Sequence, residues 1–432
     1  MMAARPGCEA DEKDFRHENM SFLKPKSEVH ERSSPPQDAG HSLTPKASTV
    51  NFNLSEEHQS YADAIARFAQ DKLAPGALAR AHASSYPWET AQLLAQQGLL
   101  GIAFSEADGG QGGTLMHAVI AIQQIALACP KSADIVQAGN FGPIRTFVEY
   151  ASDEQKARFL PDLLAGKKLI SLGMSEPEAG SAVTELKTSA VEDGDHYVIN
   201  GSKVFSTHSP EAELFLIYVR FGPGVGGIGS VLVERGTPGF EVGTPSRFMN
   251  GEQWSQLYFE NCRIPKANVL LGAGGFKKQI SGFNVERLGN ASRALALGRY
   301  AFNTAREHAL IRKQFGRELC EFQGIQWKFA DMAMKLEQAQ MLLYKAAMEG
   351  EQGLPSAQST AMAKLACNLA GWEVANEAMQ VMGGMGFSQE SLVEYCVRRT
   401  RGWMIAGGSI EMLKNRIAEG VFGKTFSQRA AA

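Results

Sequence analysis

The pattern of hydrophobic and polar positions changes character twice along the chain. From Leu54, apolar residues recur through Tyr61, Ile65 and Phe68 at helical spacing, behind Ser55 as a candidate N-cap with Glu57 close by. Further helical patterns follow at about 87–97, 115–128 and 152–164. Near Lys168 short runs at 169–174, 195–207, 214–221, 228–234 and 256–260 appear, broken by Gly, Asp, Asn and Pro, which predicts an antiparallel β domain. After Gly272 helical patterns return over roughly 276–314, 322–348, 354–383 and 389–421, joined by short glycine-containing connections, as in a four-helix bundle.

The predicted fold class is therefore mostly α with a central β domain. Its expected domains are a disordered extension at 1–50, an N-terminal helical domain at 51–167, the β domain at 168–275 and a C-terminal helical bundle at 276–432. Residues 1–50 have too few aromatic and branched side chains to offset the entropy of ordering them. Helices, then strands, then helices exclude a doubly wound nucleotide fold, in which the two alternate. The stretch Gly222-Pro-Gly224-Val-Gly226-Gly227 matches GxGxxG, but a strand-like run follows it instead of the helix whose amides would meet a pyrophosphate. A glycine-rich hairpin is the expected reading.

Composition narrows the function classes. A chain of 432 residues accommodates two or three folding units, and 44% hydrophobic with 21% charged residues is globular, so a multidomain enzyme leads. A net charge of −3 offers no electrostatic reason to bind nucleic acid. Cys8, Cys129, Cys262, Cys320, Cys367 and Cys396 are far apart, without metal-site spacing, and read as reduced thiols in a cytosol-like compartment. There is no run of 18 apolar residues, and Glu9, Asp11, Glu12, Asp14 and Glu18 are foreign to a presequence, so a cytoplasmic protein with no membrane partner is expected.

Three segments carry candidate chemistry. Met174-Ser-Glu-Pro-Glu-Ala-Gly-Ser181 sets hydroxyls and a glycine just after a strand, where backbone amides can approach a ligand; spacing alone leaves an ordinary turn or a cofactor loop open. Gly201-Ser-Lys-Val-Phe-Ser-Thr207 and Arg312-Lys-Gln-Phe-Gly316 are the others. With the helix–β–helix order, the series resembles the acyl-CoA dehydrogenase family, whose patterns are approximately MTEPxAGSD, NGxKxWIT and RxxFG. The resemblance covers about residues 52–425 and continues through Asn261-Cys-Arg-Ile-Pro265, Phe322-Gln323, Ala330-Asp-Met332 and Gln380-Val-Met-Gly-Gly384.

The resemblance implies an FAD enzyme acting on an acyl-CoA thioester. It assigns Met174, Ser175, Gly180 and Ser181 to the flavin loop, Phe205 to the tryptophan beside the flavin, and Thr207 to the hydroxyl near flavin N5. Arg312, Phe315, Gln323, Gln380, Gly383 and Gly384 match positions that hold the cofactor across a subunit interface, implying a homodimer or homotetramer; Ser409 and Glu411 complete the cofactor set. Most members carry their base in Tyr-Glu-Gly-Thr, which here reads Ala406-Gly407-Gly408-Ser409. Isovaleryl- and long-chain-type enzymes carry it on a helix before an arginine instead, and Phe283-Asn-Val-Glu286-Arg287 stands at that place.

Glu286 is thus the expected base, with the Gly407 amide on the thioester oxygen and Ser181, Phe283, Arg287 and Gly408 contacting substrate. The implied product is a trans-2-enoyl-CoA, formed with loss of the pro-R α-hydrogen, and the implied electron acceptor is an electron-transferring flavoprotein. The residue-level alternative for Glu286 is a solvent-facing helix acid. At the level of function, 3-sulfinopropionyl-CoA desulfinases are also similar around Tyr86-Pro-Trp88, Glu321-Phe-Gln-Gly-Ile-Gln-Trp327 and Ile405-Ala-Gly-Gly408, and Lys131 is available to an acidic substrate tail. That branch lacks the Glu286 carboxylate and has an arginine near position 134. An oxygen-using acyl-CoA oxidase and a silent CoA-ester-binding protein are the remaining readings.

Overall fold

The computed structural model describes residues 53–352 and 354–426, so the extension predicted at 1–50 lies outside the described residues. Seven helices come first: α1 (Glu56–Phe68), α2 (Ala77–His82), α3 (Trp88–Gln96), α4 (Leu115–Ala128), α5 (Pro130–Ala138), α6 (Pro143–Tyr150) and α7 (Asp153–Leu164). Ser55 caps α1 by accepting from the His58 amide, and Ser152 with Gln155 forms a capping box on α7. Helix α4 is buried almost all round, which is why its apolar residues form a run rather than a stripe.

The sheet is built from β1 (Ile170–Gly173), β2 (Ser189–Asp193), β3 (His196–Thr207), β4 (Leu214–Arg220), β5 (Ile228–Glu234), β6 (Phe240–Val242), β7 (Ser246–Arg247), β8 (Gln253–Pro265) and β9 (Val269–Leu271). The order is β6-β8-β3-β2-β4-β5-β9, with β1 on β4 and β7 on β8. It is antiparallel except that β1 runs parallel to β4 and β2 meets β4 at one parallel pair, Ser189 with Arg220. The long excursion through 174–213 lets the chain return beside β1 in the same direction, which a tight hairpin cannot do. The glycines at 222–227 lie between antiparallel β4 and β5, where no helix follows.

Alternation along β4 divides the packing. Leu214, Leu216 and Tyr218 join Phe147, Phe159 and Leu163 of the helices, while Phe215, Ile217 and Val219 join Ile199, Leu257 and Phe259 across the sheet.

Six helices follow: α8 (Phe276–Ile311), α9 (Gln323–Glu349), α10 (Ala357–Met382), α11 (Gly384–Phe387), α12 (Leu392–Trp403) and α13 (Ile410–Phe422). The fourth long helix expected from the sequence is therefore two, because Gly407 and Gly408 take φ values of +68° and +90° and Ser409 caps a new start at α13. No helix among the described residues is long and apolar enough to cross a membrane. The described cysteines are free thiols, and four of these five are buried.

Helices α8 and α10 cross closely through glycines. A Cβ on Gly371 would lie 2.2 Å from the Ala294 carbonyl oxygen, a contact the backbones relieve only by moving apart. Gly371→Ala is expected to destabilise the protein by about 2 kcal/mol or more in denaturant unfolding. Gly324→Ala, where an added Cβ meets nothing within 4 Å, is expected to leave the midpoint unchanged or raise it.

Candidate active site

Phe283, Glu286, Asn290 and Arg293 recur at helical spacing on one side of α8. The Glu286 carboxylate faces the end of α5 and the start of α6. Gln137 Nε2 donates to its two oxygens at 2.8 and 2.9 Å, and the nearby Gly142 amide favours its charged form. Gly142 has φ +70°, and a Cβ there would press to 3.5 Å from Glu286 Oε2. Burial raises the Glu286 carboxyl to about 7, against the opposing pull of Arg293, Lys364 and these two amides. The residue is half-buried by surface, yet protein atoms crowd its carboxylate.

The turn between α12 and α13 approaches the same face. A Cβ on Gly407 would stand 3.7 Å from Asn290 Nδ2 and 3.8 Å from Lys364 Cε. Asn290 Oδ1 is buried without a hydrogen-bond partner. Lys364, fully buried on α10, donates from Nζ to the carbonyls of Trp403 (3.2 Å), Ala406 (2.9 Å) and Gly408 (2.7 Å). Sequence reasoning missed it; the available signal was a lysine inside the otherwise apolar run 361–367. Arg287, next to Glu286, is buried and donates to Asn284 Oδ1 at 2.8 Å.

The 174–181 loop is tied to β3. Val204 donates its amide to the Ser175 carbonyl, and fully buried Lys203 pairs with Glu176 at 2.7 Å. Glu176 also accepts from Thr188 Oγ1 and from the amides of Lys187 and Thr188. Burial opposes its charge, but Lys203 and these donors hold its carboxyl below the usual range. Glu176 and Lys203 are a second pair that the sequence did not flag. Phe205 sits on a bulge of β3 at φ +58°, 58% exposed, with its ring 4.7 Å from that of Trp254, while Thr207 and Ser181 are exposed. Met174 and Phe283 pack on one apolar cluster, which brings this loop to α8.

Other sequence candidates lie elsewhere. Arg312 follows α8 26 residues beyond Glu286, about 39 Å along the helix, and it, Phe315 and Gln323 are exposed. Phe315 is 94% exposed at φ +51°. Gln380, Gly383 and Gly384 are exposed at the end of α10; back at the Gly407 turn, Gly408 and Glu411 are exposed beside Ser409. The amide of Glu411 and the Ser409 hydroxyl hold the Glu411 carboxyl below its usual range, so it has no raised proton affinity to offer a substrate.

Beneath Glu286 lies a buried charge cluster. Asp134 accepts from Arg293 Nη1 (3.0 Å), Arg399 Nε (3.0 Å) and Tyr395 (3.2 Å), and Arg399 reaches on to Glu252. Lys131 is buried 3.6 Å from Glu252 and not free for an acidic substrate tail: in this fold its side chain is enclosed beside a β-domain carboxylate. The guanidinium carbons of Arg293 and Arg399 lie 4.3 and 4.5 Å from the centre of the Trp403 ring.

Comparison with known proteins decides the relationship. Models of the acyl-CoA dehydrogenase N-terminal, middle and C-terminal domains match residues 55–167, 171–262 and 273–422. The chain belongs to the acyl-CoA dehydrogenase family. It is 33% identical to a short-chain-specific acyl-CoA dehydrogenase of Clostridium acetobutylicum over 86% of this chain and 100% of that one. It is 31% identical to a 3-sulfinopropanoyl-CoA desulfinase of Paraburkholderia xenovorans over 88% and 100%. The solved butyryl-CoA dehydrogenase of Megasphaera elsdenii superposes with a TM-score of 0.81 at 31% identity, over 86% of this chain and 100% of that one.

Acyl-CoA dehydrogenases bind FAD, and the residues present suit it. Phe205 offers an open aromatic face near the exposed Thr207 hydroxyl, a Cβ on Gly180 would meet nothing within 4 Å, and Asn290 Oδ1 awaits a polar partner.

The raised Glu286 carboxyl has a consequence for stability. The fold keeps that proton to about pH 7, whereas an unfolded glutamate releases it near 4.5, so stability falls as pH rises between these values and the cost persists above 7. Glu286→Gln is expected to be more stable than wild type by about 2 kcal/mol at pH 8, allowing for solvent screening, and to lose most of that advantage near pH 5. Denaturant unfolding at the two pH values measures it.

Proposed function

We propose that this family member catalyses FAD-dependent α,β-dehydrogenation of an acyl-CoA thioester to a trans-2-enoyl-CoA, with Glu286 as the α-proton base. The observation that carries the reading is the desolvated Glu286 carboxylate, drawn up to about 7, on the same side of α8 as Asn290, whose amide lies against Gly407. A general base works best with a proton affinity near the operating pH, and burial supplies that here. Glu411, exposed and held low, is a poor competitor.

The substrate thioester lies against the Gly407 turn, with its oxygen on the Gly407 amide, so that negative charge developing there meets a fixed donor. Glu286 accepts the pro-R α-hydrogen as a proton; its C–H electron pair becomes the new C=C bond as the β-hydrogen departs with its own pair. FAD, when bound, supplies the acceptor for that hydride, and an electron-transferring flavoprotein takes the electrons onward. Protonated Glu286 is neutral and suits its dry surroundings until it returns the proton to water. Phe283, Ser181 and Gly408 line the substrate, and Arg287 contacts its CoA portion.

Met174, Ser175, Gly180, Ser181, Phe205 and Thr207 hold the flavin end, with Ser409 and Glu411. Arg312, Phe315, Gln323, Gln380, Gly383 and Gly384 hold the remainder from a second copy of the chain. The roughly 39 Å from Glu286 to Arg312 supports this division, since one extended dinucleotide does not bridge it within a single chain. A homodimer or homotetramer is further supported by Trp327, Met334, Met341 and Met348, exposed at seven-residue intervals along α9. The desulfinase relative keeps a second reading in view. Arg293 and Arg399, the arginines beside Asp134, are both committed to that carboxylate, which favours dehydrogenation over capture of a sulfinate.

Anaerobic flavin bleaching with a panel of acyl-CoA thioesters tests the base. Glu286→Gln is expected to slow bleaching by about 10²-fold or more; bleaching at the wild-type rate with the best substrate removes Glu286 from the role. Sulfite release from 3-sulfinopropionyl-CoA without bleaching turns the assignment to the desulfinase. For assembly, Trp327→Glu with Met334→Glu is expected to shift the oligomer to a smaller species in light scattering.

A further inference from the structure

Lys364 is a fully buried lysine beside the Gly407 turn that the proposed reaction leaves unused. It has no exposure and donates to three main-chain oxygens. Three acceptors occupy all three N–H bonds of an ammonium, whereas a neutral amine has two, so the hydrogen-bond pattern itself calls for the charged form. Trp403 is the last residue of α12, whose terminal carbonyls carry the negative end of the helix dipole. Ala406 and Gly408 flank Gly407 on either side.

We propose that Lys364 is a positioning residue that aims and polarises the Gly407 amide and sets the Glu286 carboxylate against a buried ammonium. The proposal rests on Glu286 as base and on the Gly407 amide as donor to the thioester. The Ala406 carbonyl and the Gly407 N–H belong to one trans peptide and so point in opposite directions. Drawing the oxygen onto Lys364 directs the N–H away from α10, and a cation on the oxygen strengthens the N–H as a donor. The third bond, to Gly408, closes the turn behind it. The same ammonium is one of the two cations acting on the Glu286 carboxylate.

The groups that act on this pair lie on α8, on α5 and just before α6. From α8, Arg293 faces both groups and Arg287 faces Lys364; from α5, neutral Gln137 binds Glu286 while Asp134 engages Arg293; before α6 there is the Gly142 amide. Burial, followed by Arg287, brings the Lys364 ammonium down to about 7, with Glu286 opposing. The two side chains therefore titrate as one coupled pair.

The test is the pH profile of anaerobic flavin bleaching in the holoenzyme with its best acyl-CoA thioester, for wild type, Lys364→Met and Lys364→Arg. Removing the cation raises the Glu286 proton affinity, so the acid limb of Lys364→Met is expected about one pH unit higher, making it roughly tenfold slower than wild type near pH 6 beyond any pH-independent loss. Lys364→Arg is expected to return the limb toward wild type. A Lys364→Met limb at the wild-type position overturns the proposal, because a role confined to holding the turn lowers the plateau without moving the limb. Should Lys364→Met not fold, Lys364→Gln, which keeps two N–H donors without charge, reads the same limb. Glu286→Gln separates the two ideas: full bleaching with its limb intact refutes the base itself, whatever Lys364 does.

Discussion

Charge removed from water must be paired or it is lost, and the place where the helices, the sheet and the bundle meet is organised around that constraint. Asp134 comes from the N-terminal helices, Glu252 from the β-domain turn before β8, and Arg399 from α12; the guanidinium binds both carboxylates while Arg293 of α8 takes the other Asp134 oxygen. Withdrawing any of these elements would strand a buried ion. Packing of apolar surface accepts many small adjustments, but a buried forked pair accepts few, and so the three parts are held in register beside Glu286.

The same physics distinguishes the carboxylates by use. Glu176 and Glu252 are both buried, and in both burial opposes the charge, yet Lys203 and Arg399 respectively outweigh it and keep the carboxyl low. Glu286 is the contrasting case. Burial prevails there over Arg293 and Lys364, neither of which is hydrogen-bonded to it, and over the Gln137 amide side chain. Two acids are thus ionic fasteners, while the third has a proton affinity useful near neutral pH. That separation, more than proximity in sequence, marks out Glu286 and passes over Glu411.

Glycine at 407 shapes the neighbourhood in a second way. A backbone turn with two positive φ angles interrupts what would otherwise be one long helix, and the interruption brings main-chain groups where the majority pattern of the family has a carboxylate. The proposed base on α8 and the bare turn at 407 are complementary. Lys364 links them physically, with its hydrogen bonds on one and its charge felt by the other.

Much of the fold was legible in the sequence because its signals are local. Helical periodicity, the strand runs, the missing helix after Gly222 and the ordered motifs each depend on neighbours a few residues apart, and they suffice for fold class, family and cofactor. The break at 404–409 was harder to see, since two glycines inside a helical pattern are equally compatible with a continuous helix until the tertiary environment selects the left-handed turn. Parallel pairing of β1 with β4 likewise depends on residues more than 40 positions apart. Lys131 shows the limit for side chains: a lysine at a helix start reads as available, and only the arrival of Glu252 from the β domain makes it a buried partner. Sequence alone determined which elements form and which residue types are present for the chemistry. Tertiary structure decided which charges are dry and which are paired, because proton affinity and buried pairing are set by groups distant along the chain and close in space.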